Sequence, residues 1–154
     1  MTGRVLALDL GNRRIGLAVT DPLRLFARPL RTLTRSADAV DRAALLGVVL
    51  EEGADYVVVG LPLLPSGDRG EQALAVTDFM AELAPLLAEA DVGWGYWDES
   101  YTTLAATERR RARGGRSTGA DPGLDAEAAA VILEEWLRAQ DLAATRPVWE
   151  DVDG

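Results

Sequence analysis

Any chemistry in this chain has to be done by oxygen atoms and arginines. Its 154 residues include no histidine and no cysteine. That removes the Ser-His-Asp triad, the imidazole base, the thiolate nucleophile and the zinc–sulfur site. What remains is a set of oddly placed acids. Asp9 interrupts the apolar run of "VLALDLGNRR" (5–14), Asp98 and Glu99 end "DVGWGYWDES" (91–100), and Asp125 heads the apolar helix pattern "LDAEAAAVILEEWL" (124–137). A carboxylate buried in an apolar strand costs several kcal/mol unless a partner compensates it. Singly, each acid has a plain reading. Asp9 could accept backbone N–H groups in the turn at Gly11, Glu99 could be surface charge, and Asp125 could favour a helix N-terminus. Together they could converge only if a cation offset their repulsion. With no nitrogen or sulfur ligand to offer, that cation should be hard and oxygen-preferring, Mg²⁺ or Mn²⁺.

The surrounding pattern predicts the elements that would bring these acids together. "RVLALDL" reads as a buried strand, "NRRIGLAVTD" as its hairpin partner turning at Gly11 and Asn12, and "LFARPLRTL" as an edge strand, since Pro29 cannot donate to a central ladder. Ser36 is placed to cap a helix over "ADAVDRAALLGVVLEEG" that stops at Gly53. "YVVVGLP" has the unalternating β-branched character of a parallel strand covered on both faces. After "LPSGDRG", a helix is predicted with Ala73, Val76, Phe79, Met80, Leu83 and Leu87 on one apolar stripe. "DVGWGYWDES" is the last strand. "TTLAATERRRAR" is a helix, "GGRSTGADPG" a loop and "LDAEAAAVILEEWLRAQ" the closing helix. Three strands followed by α-β-α-β-α imply a mixed, five-stranded sheet flanked by helices, the ribonuclease H-like architecture, with the first strand interior. One domain over residues 1–140 and an acidic tail over 141–154 follow. Asp9 then lies at the carboxyl end of its strand, where α/β sheets place ligands. Neighbours on a strand face opposite sides, so only one of Asp98 and Glu99 can share a site with Asp9.

Charge is segregated. The net value is −9, and all 16 basic residues are arginine. Residues 1–35 carry seven arginines against Asp9 and Asp21, and residues 109–124 carry five against Asp121, while residues 36–108 hold fourteen acids and two arginines. A globally acidic chain is a poor nucleic-acid binder unless its two arginine-rich stretches meet in space. Arg14 with Arg109, Arg113 and Arg116 are the candidates for contacting phosphate. Ser66, with Gly67, is a candidate at the N-terminus of the following helix. Thr102 and Thr103 read as helix caps, and Trp94, Trp97 and Tyr101 as packing residues. Apolar runs fall well short of the roughly 20 residues of a membrane span, the N-terminus has no leader-like pattern, and cysteine is lacking; a cytoplasmic location without membrane attachment is expected.

Four stretches in order, "LALDLGNRRIGLAVTD", "VVVGLPLLPSGDRGEQA", "WDESYTT" and "LDAEAAAVILEEWL", resemble the successive motifs of the YqgF/RuvX family from Val5 to about Arg138. Its members are described as pre-16S rRNA nucleases and as Holliday-junction resolvase-like proteins with a ribonuclease H-like fold. The resemblance places the family's acids on Asp9, Glu99 and Asp125 and its first-motif arginine on Arg14. It implies metal-assisted phosphodiester hydrolysis with Mg²⁺ or Mn²⁺, acting on pre-rRNA or branched DNA. Symmetrical cleavage of a junction would further call for a homodimer. The third motif usually reads "DER-x-TT"; here Ser100 takes the arginine position. An ATP-using sugar kinase or actin-like ATPase also begins with a loop like "DLGNRRIG", but needs two such domains to enclose its nucleotide. A non-catalytic binding module of the same fold is the other alternative.

Overall fold

A computed structural model describes residues 3–64, 66–99 and 124–144. Five strands, β1 (Arg4–Leu10), β2 (Arg14–Thr20), β3 (Ala27–Thr34), β4 (Ala54–Leu61) and β5 (Gly93–Asp98), form one sheet in the order β3-β2-β1-β4-β5. The β1–β2 and β2–β3 pairs are antiparallel, and β1–β4 and β4–β5 are parallel. β1 is therefore central, and β3, with Pro29, is an edge, as the sequence predicts. Helices α1 (Asp38–Glu52) and α2 (Glu71–Glu89) cover one face, and α3 (Leu124–Ala144) covers the other.

Strand alternation sorts the core into two layers. Leu6 and Leu8 of β1, Ile15, Leu17 and Val19 of β2, and Val57 and Val59 of β4 pack against Leu45, Val48 and Val49 of α1. The predicted α2 stripe, Ala73, Val76, Phe79, Met80, Leu83 and Leu87, packs on the same layer. Val5, Ala7, Ala18 and Val58 face the other way, onto Ala129, Ala130, Ile132 and Leu133 of α3. The small residues of α3 let it lie close on the sheet. The closing helix runs to Ala144, beyond the predicted end at residue 140. Among the described residues no helix is long and apolar enough to cross a membrane.

The start of α1 departs from expectation. Its N-cap is Ala37, not Ser36, and no side chain caps it. The backbone N–H of Ser36 donates to the carboxylate of Asp41 (3.0 Å), and Arg35 donates through Nε to the same carboxylate (2.8 Å) and through a terminal nitrogen to Asp38 (2.9 Å). Asp41 is nearly fully buried. An acid inside the first turn, held by a guanidinium and a backbone donor, favours the positive end of the helix and fixes the chain entering it without capping its N–H groups. Arg35 also donates to the Gly11 carbonyl (2.8 Å), tying the β1–β2 turn to α1. The far end of α1 stops as predicted, at Gly53, whose φ of 67° suits a residue without Cβ.

Candidate active site

Asp9 continues the face of β1 that carries Val5 and Ala7, so its carboxylate lies on the α3 side of the central strand, near the strand's carboxyl end. Two glycines beside it decide what can approach. Gly16 of β2 pairs directly with Asp9 across the antiparallel ladder. A Cβ at Gly16 would run into the backbone of Asp125 and Ala126, so the bare Cα is what lets the first turn of α3 rest on the sheet. Gly60 of β4 lies one step beyond the Leu8–Val59 pair. A Cβ there would come within 2.7 Å of both a carboxylate oxygen of Glu99 and the tip of Ile132. Asp9 is thus flanked by two positions without side chains, one admitting the backbone of Asp125 and the other the carboxylate of Glu99.

Glu99 follows Asp98, the last residue of β5, and lies on the side of Trp97, which packs on the α3 layer. Of the two adjacent acids it is therefore Glu99 that shares the site, and its carboxyl group is hydrogen-bonded to that of Asp9. Burial, the charge of Asp9, the hydrogen bond to Asp9 and the charge of Asp98 push the Glu99 carboxyl up to about 8. Burial also raises Asp9, against the lowering effect of the bond from Glu99, and the charge of Asp125 raises it further. The bond between them lowers Asp9 and raises Glu99, so Glu99 is the member of the pair that holds a proton more firmly. Two acids brought this close in a partly desolvated place oppose each other's ionisation.

The third acid is committed differently. The charge of Asp125 acts on Asp9, but the Asp125 carboxylate accepts a hydrogen bond from Nε of Arg14 (2.8 Å). Among the described residues no three acidic side chains gather closely enough to hold an ion. Asp9 and Glu99 meet, and Asp125 stands across from Asp9, turned to Arg14. All are oxygen donors, so the set fits a hard divalent cation in chemistry, with Asp125 the side chain that would have to move.

Other candidates fall elsewhere. The Ser66 hydroxyl donates to the Asp68 carboxylate (3.2 Å) and accepts from the Asp68 backbone N–H (3.3 Å), so an acid stands next to it. Arg109, Arg113 and Arg116, together with Ser100, Tyr101, Thr102 and Thr103, lie outside the described residues. Trp94 and Tyr96 make an edge-to-face pair on the α1–α2 side, consistent with a packing role. Five acids of residues 36–91 are paired with arginines other than Arg14: Asp38 and Asp41 with Arg35, Glu51 with Arg31, Asp55 with Arg24, and Glu82 with Arg42. A cleft of about 520 Å³ beside the β1–β2 turn is walled by Asp38, Asp78, Glu82, Arg35 and Phe79. It belongs to the α1–α2 side, away from the Asp9 carboxylate.

Gly60 lies within β4, where its lack of a side chain makes room for Glu99. Gly16 was not anticipated at all. The only signal was its place opposite Asp9 in a hairpin register. Gly60→Ala is expected to destabilise the protein by about 1–2 kcal/mol, because the flexible ends of Glu99 and Ile132 can yield by a few tenths of an ångström but not without strain. Glu99 should be displaced from Asp9 as well. A denaturant midpoint checks the first effect. The second appears as a downward shift in the titration of Glu99 followed by NMR.

A family model described as RuvX, Holliday junction resolvase, matches residues 3–139. A protein of Roseiflexus sp. named "Putative pre-16S rRNA nuclease" is 41% identical over 152 residues, spanning 90% of this chain and 96% of its own. One of the same name from Mycolicibacterium paratuberculosis is 39% identical, spanning 94% of this chain and 84% of its own. Among solved structures, T. thermophilus RuvC in complex with Holliday junction substrate superposes with a TM-score of 0.62 at 21% identity, covering 90% of this chain and 96% of that one. The yeast mitochondrial Holliday junction resolvase Ydc2 gives 0.59 at 15%, covering 91% and 80%. These two likenesses establish a shared fold. The match across nearly the whole chain, with the acids and glycines of the site inside it, makes this protein a member of the RuvX family.

Proposed function

We propose that this protein is a divalent-metal-dependent nuclease that hydrolyses phosphodiester bonds in pre-16S rRNA, in junction-like DNA, or in both. The observation that carries the reading is the Asp9–Glu99 carboxyl pair at the end of the central strand, with Asp125 opposite. Family membership and the names of the relatives support a nuclease. Asp9, Glu99 and Asp125 would hold Mg²⁺ or Mn²⁺. Such ions, when bound, activate water and stabilise the leaving oxygen, so no general-base side chain is needed in a chain without histidine. Glu99 gives up its proton when the site is loaded. Asp9, buried at the base of the site, fixes where the charge is centred. Arg14 at the rim can neutralise a substrate phosphate, and Arg109, Arg113 and Arg116 are assigned the same role from their density of charge. Ser66, facing Asp68, is the weaker candidate for phosphate. A cytoplasmic location suits a substrate of this kind.

The test is a cleavage panel: single-stranded RNA, structured rRNA precursor and four-way DNA junction, each with Mg²⁺, Mn²⁺ and EDTA. Cutting of at least one substrate that depends on metal and stops with EDTA is expected. Binding without any cutting would instead establish a non-catalytic module, the reading that Ser100 in the usual arginine position favours.

A further inference from the structure

We propose that Arg14 is a latch on the metal site, holding Asp125 out of the ligand set until a phosphate competes for its guanidinium. The inference rests on the metal-dependent reading above. Three features of the site support it. Asp125 accepts from Arg14 Nε at 2.8 Å, whereas Asp9 and Glu99 bond each other. The backbone of Asp125 is fixed against Gly16, so the choice between Arg14 and the acid pair is made by side-chain rotation and not by movement of α3. Among the described residues the three acids are not gathered for an ion. Arg14 begins β2 and extends outward from the sheet end, its side chain 59% exposed, so it can reach both Asp125 and an incoming phosphate.

An arginine bonded to a carboxylate will exchange that partner for a phosphate oxygen, because both offer the same planar or tetrahedral oxygen acceptors to its N–H fork. Each phosphate that takes Arg14 frees Asp125 to turn toward Asp9 and Glu99. Nucleic acid and metal then favour each other's binding, and by linkage the coupling is the same in both directions. An exposed ion pair of this kind is worth up to about fivefold in an equilibrium, which sets the size of the effect.

Arg14 is a positioning residue in this scheme, and the experiment reads metal affinity without turnover. Mn²⁺ binding to the full chain is measured by electron paramagnetic resonance for the wild type, Arg14→Gln, Asp125→Asn and the double variant, with thermal midpoints confirming that each is folded. Arg14→Gln should bind Mn²⁺ about fivefold more tightly than wild type, and the same change made on top of Asp125→Asn should gain less than about twofold. Equal gains in both backgrounds would mean that Arg14 merely repels the ion, and would overturn the latch. So would unchanged or weaker binding by Arg14→Gln, while leaving the metal reading intact. No specific Mn²⁺ site in any of the four proteins would overturn both.

Discussion

Asp9→Asn should lower metal-dependent cleavage at least about a thousandfold and yet leave the metal-free protein more stable than wild type. The two effects share one cause. Asp9 sits at the base of the site, where burial and the charge of Asp125 both work against its ionised form. Asparagine keeps the size and can accept the Glu99 proton through its amide oxygen, so the hydrogen bond survives while the unfavourable charge goes. A gain of about 1–2 kcal/mol is reasonable for relieving one such carboxylate, in keeping with the common trade of stability for function at active sites. The same charge is what would attract a divalent ion, and losing several kcal/mol of metal-derived stabilisation corresponds to three or more powers of ten in rate. Nucleic-acid binding should persist, since phosphate affinity comes from arginines. The measurements are initial cleavage rate, thermal midpoint in EDTA, and the shift in midpoint on adding Mn²⁺, which should shrink sharply in the variant. A variant that still cuts at the wild-type rate would remove Asp9 from the chemistry and end the metal-nuclease reading.

How far the site could be read from the sequence follows from which interactions are local. The strand order around Asp9 was legible because hairpins and unalternating β-branched runs each have a short-range signature. Period-two alternation narrowed Asp98 and Glu99 to a choice of one, though not to which one. That needed the layer on which Trp97 packs. The stripe on α2 emerged residue by residue, since six apolar side chains at helical spacing have one way to be buried together. Gly16 and Gly60 could not be read, because their meaning lies in a contact with residues 39 to 110 positions away. Nothing adjacent marks a glycine in a strand as the seat of a helix end. The Ser36 cap failed for a related reason. A serine before a helix is a good local rule, but Arg35 and the buried Asp41 supply a stronger charge-assisted arrangement at the same place. The Arg14–Asp125 pair, spanning the hairpin and the last helix, was likewise beyond any spacing rule, although both residues had been singled out separately.

Removing metal should make the folded state depend on pH in a window where most proteins are level. Glu99 titrates near 4.5 in the unfolded chain and at about 8 in the fold. Between those values the native protein keeps a proton that the unfolded chain releases, so stability falls as pH rises. The contribution is complete below about pH 4.5 and is lost as pH climbs through about 8. Asp9, raised as well, adds to the loss in the same direction. Asp21 acts oppositely and at lower pH: hydrogen bonds from the backbone N–H groups of Phe26, Leu25 and Leu23 hold it below its ordinary value. Its contribution is present above about pH 4 and fades as pH drops further, so the two windows do not overlap. The Glu99 window is worth about 3 kcal/mol after allowing for partial solvent access and for the proton shared with Asp9. Urea midpoints in EDTA from pH 5 to 9 should therefore decline for wild type and decline markedly less for Glu99→Gln, whose amide can still donate to Asp9 without carrying a proton that titrates, leaving only the contribution of Asp9. A divalent ion competes with that same proton, so Mn²⁺ affinity should climb with pH and flatten above about 8. A wild type whose midpoint is flat from pH 5 to 8 would show that Glu99 is ionised beside Asp9, and the shared-proton arrangement would have to be abandoned.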